Sequence, residues 1–106
     1  MVKVTFISAE GKVQMADGDY GVSVMETAKR HGVEGIVGEC GGACACATCH
    51  VYIDAAWRAS VGEASPDESD MLDFVRERRP ESRLSCQIRL NTKLNGLVVT
   101  TPARQG

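Results

Sequence analysis

Glu39-Cys40-Gly41-Gly42-Ala43-Cys44-Ala45-Cys46-Ala47-Thr48-Cys49-His50 sets Cys40, Cys46 and Cys49 in a C-x5-C-x2-C spacing, and Cys86 follows after thirty-six intervening residues. Four thiolates so placed can hold one [2Fe–2S] cluster, a loop supplying three and a distant strand the last. The residues between the loop cysteines are small: Gly41, Gly42, Ala43, Ala45 and Ala47. A loop that wraps an inorganic cluster must bring backbone N–H groups close to the sulfurs, and bulky side chains would hold them away. No catalytic constellation accompanies these residues. The pattern therefore points to an electron carrier rather than an enzyme.

Three other readings compete for the same cysteines. Plant-type ferredoxins use C-x4-C-x2-C, one residue shorter in the first gap. Cys46-Ala47-Thr48-Cys49-His50 matches the C-x-x-C-H of c-type haem attachment, which would leave Cys40 and Cys86 coincidental and would require export. The opening Met1-Val2-Lys3-Val4-Thr5-Phe6 has no long apolar stretch, so no secretory signal is expected. A structural zinc site also takes four thiolates, but usually from two C-x-x-C pairs, and here only Cys46/Cys49 forms one.

Outward from the loop, alternation and caps outline the fold. Val2, Val4 and Phe6 alternate as a strand, Glu10-Gly11 signals a turn, and Lys12 to Met15 returns as a second strand before Asp17-Gly18-Asp19-Tyr20-Gly21 breaks the pattern. Ser23-Val24-Met25-Glu26 is a capping box for a helix that runs through Arg30 to a left-handed stop at Gly32. Beyond the loop, His50 to Asp54 reads as a strand, and a short helical stretch from Ala55 to Ala59 carries Trp57, expected to cover core near the loop. Ser65-Pro66-Asp67-Glu68 is a second capping box. Its helix is expected to present Met71, Leu72, Phe74 and Val75 inward, with Asp70 and Asp73 opposite. Leu84, Cys86, Ile88 and Leu90 alternate as a strand that would hold the fourth ligand in the sheet, and Asn95-Gly96 turns into Leu97-Val98-Val99.

One domain over residues 1–106 is expected, and 43% apolar with 25% charged residues sits in the globular range. Five cysteines without an export signal favour a reducing compartment, the cytoplasm. The formal charge is −2, and an oxidised cluster with its thiolates would add roughly −2 more, which disfavours nucleic acid as a partner. No basic cluster argues for a membrane. Between Ala59 and Val75 stand Glu63, Asp67, Glu68, Asp70 and Asp73 with no base, and Arg76, Arg78, Arg79 and Arg83 follow. Such a run is either a solvated helix face or a patch that steers a basic partner.

The loop from Glu39 to Tyr52, with Asp70-Met71-Leu72-Asp73 and Ser82-Arg83-Leu84-Ser85-Cys86-Gln87-Ile88, resembles the adrenodoxin/putidaredoxin-type [2Fe–2S] ferredoxins over essentially the whole chain. The resemblance implies an α+β, β-grasp (ubiquitin-like) ferredoxin fold: a mixed sheet, one main helix and short additional helices. It implies a monomeric one-electron shuttle from an FAD-containing NAD(P)H-dependent ferredoxin reductase to a cytochrome P450, through transient complexes. Cys40, Cys46, Cys49 and Cys86 match the ligand positions, and Cys44 would then pack beneath the loop. Glu39 matches a docking acid, and with Asp67, Asp70 and Asp73 makes up the expected partner surface. The matching histidine implies a hydrogen-bonding role for His50, whereas His31 reads as a surface cap. Ferredoxins serving iron–sulfur cluster assembly share the spacing, but typically carry charged residues after the first ligand and a cysteine soon after C-x-x-C-H. Here Gly41-Gly42 and Val51-Tyr52 occupy those positions, which favours the P450 branch. One departure stands out: the putidaredoxin branch ends in an aromatic residue used in partner recognition, whereas this chain ends Ala103-Arg104-Gln105-Gly106.

Overall fold

The computed structural model describes residues 1–33, 50–75 and 78–102. Alternation builds the first hairpin as expected. β1 (Val2–Ile7) turns Val2, Val4 and Phe6 into the core and pairs antiparallel with β2 (Val13–Gly18), from Val2↔Gly18 to Ile7↔Val13. β2 continues past Met15, however, through the Asp17-Gly18 that reads as a pattern break. A Cβ at Gly18 would lie 2.4 Å from both Leu90 Cδ1 and Thr27 Oγ1, so glycine here permits a close approach of the strand to its neighbours.

β3 (His50–Ile53), β4 (Ser82–Leu84) and β5 (Leu97–Thr100) complete a five-stranded sheet in the order β2-β1-β5-β3-β4. β1 and β5 are parallel and the other pairs antiparallel, which makes the mixed sheet of a β-grasp α+β fold. α1 (Val24–Arg30) begins where Ser23 Oγ accepts the Glu26 N–H at 3.1 Å, and it buries Val24, Met25, Thr27 and Ala28. The chain leaves it through Gly32 at φ +66°, a left-handed conformation that glycine adopts without strain. A 3-10 turn at Ala55–Trp57 runs into the short α2 (Arg58–Val61). α3 (Pro66–Leu72) opens with Ser65 Oγ accepting the Glu68 N–H at 3.2 Å. Like α1, α3 is seven residues long.

Two details of α3 differ from the sequence reading. Glu68 does not reach back to complete a capping box; its side chain is 1% exposed and turned inward. There Arg83 Nε donates to Oε2 at 2.6 Å and Nη2 to Oε1 at 2.9 Å, while the Leu84 N–H donates to Oε2 at 2.9 Å. Arg83 Nη1 donates to the Gly62 carbonyl at 2.8 Å. Arg83 is thus a buried cross-link between β4 and α3 rather than one of a run of surface arginines. The second difference is Phe74, expected inward but 72% exposed. After Leu72 the N–H groups of Asp73, Phe74 and Val75 donate to the carbonyls three residues back. At about three residues per turn, Leu72 and Val75 eclipse on the core side, and Phe74 between them faces out.

Replacing Arg83 with Leu would leave the Glu68 carboxylate buried without its cation. The expected loss is about 3–5 kcal/mol of stability, and adding Glu68→Leu should restore part of it. Urea unfolding of the single and double variants measures both.

Candidate metal centre and its surroundings

Cys86 is 2% exposed, but it does not sit on a strand. The chain leaves β4 at Leu84 and forms a 3-10 turn, Ser85–Gln87, before Ile88 resumes extended backbone. Leu84, Cys86, Ile88 and Leu90 are all buried as their alternation suggests, yet the inward cysteine is presented by a turn. Gln87 Nε2 lies 3.4 Å from Cys86 Sγ and donates to it, a role the sequence reading missed. A polar donor directly following a candidate ligand was the available signal.

Glu39, Cys40, Cys44, Cys46 and Cys49 lie outside the described residues. The described chain on either side of them is tied close to Cys86. α1, which precedes them, packs on the Cys86 turn and donates the Val24 N–H to the Ile88 carbonyl at 2.9 Å. Val33 is buried and closes that end with its N–H on the Ala28 carbonyl, also at 2.9 Å. β3, which follows, begins at His50 opposite Leu84, two residues before Cys86. A buried thiol with the described flanks of the cysteine-rich segment held near it fits one ligand of a group held by four thiolates.

His50 is 1% exposed, and its Nε2 shares a 2.8 Å hydrogen bond with Ser82 Oγ. That hydroxyl also accepts the Arg79 N–H at 2.8 Å. The start of β3 is thereby bound to β4 and to the turn before it, the tie that the resemblance implies. Tyr52 meets the His50 ring edge-on at 4.7 Å, and the Arg79 guanidinium stands over the Tyr52 ring at 4.3 Å. Burial, with the positive charge of Arg79 adding to it, lowers the His50 pKa from 6.5 to about 4. His50 is neutral at physiological pH.

The expected docking acids divide. Asp67 and Asp70 are exposed on α3. Asp73 is exposed too, but it forms an ion pair with Arg78, whose guanidinium also holds the Ser69 carbonyl and hydroxyl. Glu68 is inside. The acidic face is therefore smaller than the run of five acids suggested. Trp57 packs partly buried against the core beside Gly96, at the end of β5 away from the Thr100 that pairs with Tyr52. It covers the opposite end of the sheet from His50. His31 caps α1 on the surface, with Nε2 3.0 Å from the Asp17 carbonyl.

Residues 7–91 match the family model described as a 2Fe-2S iron–sulfur cluster binding domain. Ferredoxin CarAc from a Sphingomonas species is 50% identical over 104 residues, which span 98% of this chain and 95% of that protein. The chain belongs to the adrenodoxin/putidaredoxin-type [2Fe–2S] ferredoxins. As a ferredoxin of this type it is an electron carrier that binds one [2Fe–2S] cluster. The crystal structure of a ferredoxin from Rhodopseudomonas palustris HaA2 superposes with a TM-score of 0.95 at 45% identity, covering 98% of this chain and 99% of that one. Putidaredoxin in its covalent complex with putidaredoxin reductase superposes with a TM-score of 0.92 at 45% identity, over 96% and 99% of the two chains.

The lowered His50 pKa has a consequence for stability. Unfolded, the side chain takes up a proton near pH 6.5, whereas in the folded ferredoxin it does so only near pH 4. The unfolded state thus binds more protons between these values, and stability falls as pH drops from about 6.5 to 4, by about 3 kcal/mol in all. Denaturant unfolding across that range should show a pH slope that His50→Gln reduces.

Proposed function

We propose that this ferredoxin is a soluble, monomeric, cytoplasmic one-electron shuttle. It would pass electrons from an FAD-containing NAD(P)H-dependent ferredoxin reductase to a cytochrome P450, with Cys40, Cys46, Cys49 and Cys86 as cluster ligands. The observation that carries the reading is the placement of Cys86: a buried thiol in a turn on which α1 packs, with β3 beginning opposite Leu84, two residues before it. The full-length likeness to carriers of this type, one of them solved with its reductase, supports the direction of electron flow. Among the described residues no helix is long and apolar enough to cross a membrane.

The bound cluster supplies a site that accepts and releases a single electron. The chain's own residues set the conditions around it. The Gln87 amide donates toward the Cys86 sulfur and so favours the added negative charge of the reduced form. The neutral His50 fixes the start of β3 without placing a second charge beside it. Asp67 and Asp70 give the exposed face of α3 a negative field, which speeds encounter with a basic partner more than it prolongs the complex. A shuttle must leave one partner for the next, and that balance suits it.

Purified ferredoxin should contain iron and acid-labile sulfide in equal amounts, about two of each per chain. Cys86→Ser should prevent stable cluster assembly, while Cys44→Ser keeps the visible spectrum. Stoichiometric zinc without sulfide would sink the cluster reading, and a colourless Cys44→Ser would show that the ligand set is a different one. Reconstitution with reductase, NAD(P)H and a P450 should give ferredoxin-dependent substrate turnover; reduced ferredoxin that never reoxidises on the P450 would remove that acceptor.

Asp70→Asn should slow reduction by the reductase at low salt, with the deficit shrinking as ionic strength rises. Asp73→Asn should do less, because Arg78 already offsets that charge. Stopped-flow reduction across a salt series compares the two.

A further inference from the structure

We infer that Phe74 is an apolar anchor through which the ferredoxin docks on its flavin reductase, an inference that rests on the carrier reading above. Among the described residues Phe74 is the most exposed large apolar side chain, at 72%, while Leu72 and Val75 on either side of it are buried. Its position is fixed by ordered backbone. The N–H groups of Asp73, Phe74 and Val75 donate to the carbonyls of Asp70, Met71 and Leu72 at 3.2, 3.0 and 3.3 Å. Arg78 clamps the same turn to α3 through the Ser69 carbonyl at 3.2 Å, the Ser69 hydroxyl at 3.1 Å and Asp73. The ring is therefore held out in water on a braced turn, and little further ordering is needed for it to enter a pocket.

The surroundings define the occupant. Asp67 and Asp70 are exposed on the same short helix, and Asp73 flanks the ring, its charge offset by Arg78. An aromatic centre with a net acidic rim complements an apolar pocket bordered by lysine or arginine. Tightly packed aromatic side chains within a polar rim commonly carry most of the energy of an interface. The reductase is the partner a 45% identical ferredoxin of the same fold is solved with. The two kinds of group divide the work: the aspartates raise the encounter rate, and Phe74 sets how long the complex lasts.

The test is reduction of the holoprotein by reductase and NAD(P)H, at low and high salt. Phe74→Ala should raise the KM for ferredoxin about tenfold with the maximal rate unchanged. Unlike the Asp70→Asn deficit, this one should persist at high salt, and Phe74→Tyr should recover most of the affinity. The visible spectrum and the unfolding midpoint should stay at parental values, because the ring supports no core. An unchanged KM in Phe74→Ala would overturn the inference. So would a defect confined to delivery of electrons to the P450, or a parental dimer in sedimentation that Phe74→Ala dissociates. A parent protein that the reductase cannot reduce would instead remove the carrier reading itself, and this inference with it.

Discussion

The bidentate pair of Glu68 and Arg83 joins two parts of the chain that have little else to hold them in register. α3 is seven residues long and gives the core only Leu72 and the flank of Met71, too little apolar surface to fix its angle on the sheet. A carboxylate and a guanidinium buried together cannot slide, because each lost hydrogen bond would leave a charge unsolvated. The same carboxylate accepts the Leu84 N–H, and the same guanidinium holds the Gly62 carbonyl that precedes the helix. The end of β4, the start of the Cys86 turn and the acidic helix are thus placed by one polar knot. What α3 shows to solvent depends on what it keeps inside.

Near Cys86 the structure sets a neutral histidine and a donating amide. His50 is buried next to a cationic residue and responds by staying unprotonated. Its hydrogen bond to Ser82 does the structural work, and Tyr52, itself covered by the Arg79 guanidinium, packs edge-on against its ring. A site that gains an electron in use benefits from surroundings that do not titrate with it, because the geometry of the ligands then stays constant through the cycle. The fixed dipole of the Gln87 amide adds stabilisation without a proton changing place.

On the docking surface proposed above, long-range steering and short-range grip would come from different residues. Negative charge on α3 acts over about a Debye length and fades with salt, whereas an exposed ring acts only on contact. The split follows from how the helix ends. Had α3 continued with α-helical spacing, Phe74 would have joined the apolar face that the sequence pattern outlines, and the surface would have been acidic alone.

The local features were legible in the sequence because each depends on residues a few positions apart. Ser23 with Glu26 and Ser65 with Glu68 start their helices, Gly32 stops the first, and Val2, Val4 and Phe6 alternate into the core. The cysteine spacing and its small neighbours point to the cluster, and the β-grasp fold follows from the resemblance. Other features required the folded chain. Glu68 reads as one acid in an exposed run until a partner fifteen residues away draws it inside. Asp17 and Gly18 read as a break until Leu90 and Thr27 close over a position that has no side chain. Cys86 alternates like a strand residue, but a tight turn presents it, since burial records which side a residue faces and not the backbone that aims it. Periodicity and caps are written by neighbours in the chain; charge pairing, close backbone approach and the exposure of Phe74 are decided by neighbours in space.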